Sequence, residues 1–142
     1  GKQMKVFTIL SVLILLTVSP IFAAGDQKKI DSMTSETSPI IAYKDMKQVM
    51  GLAEESTTVL FFKANWCPSC IAAAKSFEKG KDQLKGINLV VVNYDNANEL
   101  KIKYGITYQH TFVQVDANGE VLASWSGGAT KQLLNNIVKE EI

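Results

Sequence analysis

From residue 40 onward the apolar side chains fall into short blocks of two kinds. Some are continuous and rich in β-branched and aromatic residues. Residues 58–63 read TVLFFK, and residues 87–94 read INLVVVNY. A run that is apolar at nearly every position predicts a strand buried on both faces. Ile40 and Ile41 predict a shorter strand before them. Other blocks follow helical spacing. Tyr43, Met46, Met50 and Ala53 line up on one helix face, and Leu133, Leu134, Ile137 and Val138 mark a last amphipathic helix. Residues 69–79, SCIAAAKSFEK, are alanine-rich and favour helix. Pro68 suits its first turn, where no N–H is needed, and Gly80 ends it. Asn96 followed by Glu99 predicts a capping box for a further helix that stops at Gly105. Residues 111–115 and 120–125 flank DANG, the signature of a hairpin.

The resulting order is βαβαβαβ–βα. Early alternation calls for parallel strands joined by helices, and the late hairpin adds an antiparallel edge. The expected class is α/β, with a mixed central sheet and helices on both faces.

The residues before this body have a different pattern. From Met4, Lys5 precedes the apolar run VFTILSVLILLTV, then Pro20 and the small residues Ala23, Ala24 and Gly25. This predicts a signal peptide over residues 1–24, with cleavage near Ala24 or Gly25. The alternative is an uncleaved anchor, since residues 6–24 are long enough to span a bilayer. Residues 25–39, GDQKKIDSMTSETSP, predict a flexible linker, which leaves 40–142 as the single domain. Export implies a periplasmic or cell-surface location, where disulfides persist.

Composition narrows the function classes. The 142 residues carry a net charge of +1 without a long basic run, so a nucleic-acid partner is not expected. Apolar residues make up 46% of the chain, enough for a real core.

The two cysteines, Cys67 and Cys70, carry the candidate chemistry. A disulfide stabilises mainly by closing a long loop, and this pair closes almost none. A structural zinc site usually wants four ligands, and the chain has two Cys and one His, His110. A redox couple uses the local features better. The pair falls where a strand's carboxyl end meets a helix N-terminus, where free N–H groups and the helix dipole favour a thiolate. Cys67 is then expected to be the exposed nucleophile, and Cys70, one turn in, the buried resolving thiol. Trp66 beside them either shields the nucleophile and offers an apolar docking surface or packs in the core.

VLFFKANWCPSC followed by an alanine-rich helix resembles the active-site segment of the thioredoxin superfamily. KYGITYQHTFVQVDANGE resembles the segment leading through that family's second active-site loop. The likeness implies a thioredoxin fold over about residues 40–142 and thiol–disulfide exchange on a protein substrate. It also implies a membrane or soluble redox partner. That chemistry calls for no cofactor.

The resemblance also marks departures. His110 stands where the family has a cis-proline. A non-proline cis bond costs about 3–4 kcal/mol, so a cis peptide at Gln109–His110 is not assumed. Phe61 and Val91 stand where thioredoxins keep a buried Asp and its companion Lys. His110 is therefore a candidate acid/base for the cysteine protons. Cys67, Cys70 and His110 equally form an N/S donor set suited to copper or zinc. Metallochaperones of this fold resemble the chain in having two Cys and a later His, at wider Cys spacing. A third class is a binding module whose disulfide is incidental.

Overall fold

The computed structural model describes residues 37–139. The expected signal segment and all but the last residues of the linker lie outside that range. The elements are β1 (Ile40–Ala42), α1 (Met46–Glu55), β2 (Thr57–Lys63), α2 (Pro68–Lys79), β3 (Ile87–Asn93), α3 (Asn98–Tyr104), β4 (Thr111–Val115), β5 (Val121–Ser126) and α4 (Thr130–Asn136). Single 3-10 turns precede β3 and α3.

The sheet order is β1-β3-β2-β4-β5. β1, β3 and β2 run parallel, and β4 and β5 are antiparallel to their neighbours. β2 is the central strand, and its alternating side chains divide the core. Val59 and Phe61 face α2 and α4, together with Ala73, Phe77 and Leu133. Leu60 and Phe62 face the other side, with Val49 of α1 and Leu100 of α3. Both faces are apolar because both are covered, which is why residues 58–63 and 87–94 read as nearly unbroken hydrophobic runs. Pro39 already joins this sheet, its carbonyl accepting from Leu89 N–H at 2.7 Å.

Three expected details are corrected. α1 begins after Asp45, whose carboxylate caps it by accepting from Gln48 N–H at 2.8 Å. Tyr43 therefore lies outside the helix, and the inward face is Met46, Val49 and Leu52. The capping box at Asn96 and Glu99 does not form. Asn93 caps a 3-10 turn over Tyr94–Asn96 instead, and α3 starts at Asn98 with no side-chain cap. α4 stops at Asn136, short of Ile137 and Val138. The buried Gln114 amide donates to Val138 O at 2.8 Å and accepts from Val138 N–H at 2.7 Å, holding that backbone extended. Two strong bonds to the main chain outweigh the weak helical preference of an Ile-Val pair. Gly105, in contrast, ends α3 as expected, with φ +63 in the left-handed region.

Candidate active site

β2 delivers the chain to the rim of the sheet, and Cys67 becomes the N-cap of α2 with Pro68 in the first helical position. The Cys67 sulfur folds back over the helix end and accepts the Cys70 N–H at 3.2 Å. That bond corrects the expectation of an exposed thiol. Cys67 is only 2% exposed, because its Sγ serves the cap rather than pointing outward. Cys70 is fully buried, in the α2 side of the core. Trp66 is 60% exposed and does not pack in the core. Its indole N–H donates to the Asp95 carboxylate at 3.1 and 3.2 Å, which fixes a large apolar face beside the cysteines.

The two thiols differ electrostatically. Burial pushes Cys67 up, but hydrogen bonds from Cys70 and Ser69, by side chain and main chain, outweigh it. The net shift is below the ordinary thiol value. Cys70 is pushed up to about 11, first by burial and then by its bond to Cys67, against smaller opposite pulls from the Ala64 and His110 main chain. N–H donors at a helix N-terminus stabilise a thiolate, and an apolar interior stabilises a thiol. The outer sulfur is thus the one poised to ionise.

The floor beneath them is aromatic. Phe61 pairs in register with Val91 on one side and with Phe112 on the other. Phe61 stacks on Phe112 at 4.6 Å and meets Phe77 edge-on at 5.6 Å. A groove of about 400 Å³, lined among others by Phe61, Ile71, Ala74 and Val91, runs beside α2. The acid and lysine that the resemblance would place here are replaced by apolar surface.

His110 comes from the loop between α3 and β4, and no cis peptide occurs among the described residues. His110 instead takes φ +60, the left-handed region that costs a side-chain-bearing residue about 1–2 kcal/mol. Four hydrogen bonds hold it there. Its N–H donates to Phe62 O at 2.8 Å, and its carbonyl accepts from Gly127 N–H at 2.7 Å. Ring Nε2 lies 2.7 Å from Gly128 O, and Nδ1 lies 2.9 Å from Ser69 Oγ. The sulfurs of Cys67 and Cys70 and an imidazole nitrogen all lie within 4.8 Å of one another. The expected residues therefore do converge. The imidazole, however, bonds to Ser69 and Gly128 rather than to either thiol.

Ser69, Asp95 and the Gly127–Gly128 pair belong to this site and were not singled out by the sequence. Ser69 lies between the cysteines, and the Gly-Gly pair stands out just before the last helix, so residue type was a signal; the partners were not. Gly128 has φ +91, and a Cβ on it would lie 2.5 Å from Gln132 Cβ, so only glycine fits the carbonyl's position.

A mixed five-stranded sheet, with one cysteine capping the helix after its central strand and a second one turn inside, defines a protein of thioredoxin fold. The Thioredoxin family model matches residues 42–140, and the chain belongs to that family. It is 31% identical over 80 residues to probable thioredoxin-2 of Caenorhabditis elegans, covering 56% of this chain and 54% of that one. The chain thus spans about half the length of the curated relative it matches. Its fold is similar to the thioredoxin of Trypanosoma brucei brucei, with a TM-score of 0.60 and 22% identity over 70% of this chain and 89% of that one. It is also similar to the Malassezia sympodialis thioredoxin, with a TM-score of 0.55 and 26% identity over 68% and 84% of the two chains.

Proposed function

We propose that the protein is an exported thiol–disulfide oxidoreductase working through the Cys67–Cys70 couple. The observation that carries this is the placement of two thiols one helical turn apart, Cys67 Sγ capping α2 by accepting the Cys70 N–H at 3.2 Å and Cys70 buried in the core behind it, with the outer thiol held below the ordinary value and the inner one above it. Family membership and the thioredoxin relative support the same chemistry.

In the reducing direction, the Cys67 thiolate attacks one sulfur of a protein disulfide. A Cys67–substrate S–S bond forms, the substrate S–S bond breaks, and its electron pair leaves on the other substrate sulfur. Cys70 loses its proton and attacks Cys67. The intramolecular disulfide forms, and the second substrate sulfur departs. Two electrons and two protons have moved from the cysteine pair to the substrate, and oxidation is the same path reversed. Trp66 and Pro68 shape the approach. The exposed indole offers an apolar contact, and a membrane or soluble redox partner resets the couple. The apolar run at residues 6–18 and the polar stretch after it support work outside the cytoplasm.

The test is turnover of a peptide disulfide in a glutathione buffer, which also yields the reduction potential. Wild type should accelerate exchange, and a Cys67→Ser, Cys70→Ser double variant should not. A wild type no faster than buffer, with a stoichiometric copper or zinc ion lost on His110→Ala, would replace this reading by the metallochaperone. N-terminal sequencing of envelope material should begin near Gly25 or Asp26. A start at Met4 would indicate the anchor, and cytoplasmic material would refute export.

A further inference from the structure

The bonds around His110 fix a direction. A carbonyl oxygen only accepts, so Nε2 must carry a hydrogen for Gly128 O at 2.7 Å. In the neutral ring Nδ1 then bears the lone pair, and Ser69 Oγ–H, 2.9 Å away, donates to it. A hydroxyl has one hydrogen. With that hydrogen given to His110, Ser69 Oγ meets the Cys67 sulfur at 3.2 Å as an acceptor. The donors therefore run one way: Cys67 S–H to Ser69 Oγ, and Ser69 O–H to His110 Nδ1.

We propose that Ser69 is a catalytic proton relay that passes the Cys67 proton to His110, the positioned base. This rests on the exchange reading above. The Cys67 S–H bond breaks as its proton joins Ser69 Oγ, and the proton already on Ser69 moves to His110 Nδ1. Ser69 ends neutral, between a thiolate and an imidazolium, donating to the first and accepting from the second. When the thiolate attacks a disulfide, the electron pair of the broken substrate bond leaves on the substrate sulfur. The proton held on His110 is then available to neutralise that charge. A hydroxyl bond to Cys67 is also among the contributions that lower this thiol. His110 thus takes the place of the missing buried acid, but acts through Ser69 and from above the cysteines rather than beneath them.

The surroundings favour this division of roles. Among the described residues, the Cys, Asp and Glu groups that gather with the imidazole are the two thiols of the α2 end. β2 and β4 present the Phe61 and Phe112 rings at 5.8 and 5.7 Å. The loop before α4 presents the Gly128 carbonyl, and Asp95 is engaged by the Trp66 indole. The ring is held by Gly128 on one side, so its one free lone pair has Ser69 as its hydrogen-bond donor.

The test reads two rates against pH in the full-length protein: alkylation of Cys67 and exchange with a peptide disulfide. Near neutrality Ser69→Ala should slow both by roughly a hundredfold, at the low end of what positioned proton transfer supplies. The rates should converge with wild type at alkaline pH, where the thiolate forms unaided. Ser69→Thr keeps the hydroxyl and should restore both rates to within about twofold. His110→Ala should match Ser69→Ala, and the double variant should be no slower than either, because one chain cannot be cut twice. Alkylation at the wild-type rate in Ser69→Ala, failure of Ser69→Thr to rescue, or additive losses in the double variant would overturn the relay. If the alkylation pattern holds but wild type exchanges no disulfide, the relay stands and the proposed function falls.

Discussion

At the scale of single residues, the chemistry lies in the contrast between two sulfurs three positions apart. Cys67 shares its lone pairs with the helix end, and Cys70 sits in the core behind it. A lowered value means that the thiolate appears at lower pH, so reactivity should follow the same order. Alkylation of the reduced protein should modify Cys67 first, with a midpoint below the ordinary value of 9.0. Cys70 should react only as the pH approaches about 11. Peptide mapping of the partly alkylated protein checks this, and Cys70 as the faster thiol would refute it. Much of this was legible in the sequence, because the strand, the Pro and the cysteines are adjacent and the helix end is a local feature. The burial of Cys67 was not, since capping by sulfur depends on a rotamer. Nor was the Ser69–His110 contact, which joins residues 41 positions apart.

At the scale of elements, the site is the meeting of one helix end with two loops. The His110 loop carries the strain of φ +60, and the glycine pair before α4 receives it through Gly127 N–H and Gly128 O. Gly128→Ala tests that support. The new Cβ would meet Gln132 Cβ at 2.5 Å in a backbone region that alanine avoids, so the loop must move. The expected loss of stability is about 1–2 kcal/mol or more, read from denaturant unfolding of the reduced protein. The His110 ring resonances should shift with it. Unchanged stability and unchanged resonances would mean that the glycine pair does not hold the imidazole. The elements themselves were mostly readable from periodicity, and the errors lay at their ends. The α1 start turned on Asp45, the α3 start on Asn93, and the α4 stop on Gln114, each a side chain reaching for the main chain. Periodicity counts apolar positions and does not see these bonds.

At the scale of the whole molecule, a sheet covered on both faces leaves position 61 inside an apolar layer. Phe61 is fully buried and bridges Phe77, Phe112 and His110. Its ring contributes packing, and in the proposed relay proton handling lies in the loop above. Phe61→Asp, which would place an acid at the family's position, should therefore not raise activity. It removes a core aromatic, worth about 3–5 kcal/mol when truncated, and buries a carboxylate without a partner. Thermal unfolding should show a large drop in Tm or loss of the cooperative transition. A stable variant with faster exchange would mean that the floor is not the structural element described here. Positions 61 and 91, which the resemblance matched to the family's acid and its companion Lys, lie in register across β2 and β3. What the apolar exchange meant for the site required the stacked rings to be seen together.

The central claim is that Cys67 attacks and Cys70 resolves. Its most direct measurement is mass spectrometry of the Cys70→Ser and Cys67→Ser variants after incubation with a peptide disulfide. Cys70→Ser should accumulate a stable mixed disulfide on Cys67, because the sulfur that would release it is gone, and Cys67→Ser should accumulate little, because its remaining thiol is buried and held protonated to about pH 11. An adduct that forms equally in both variants, or only on Cys70, would contradict the account.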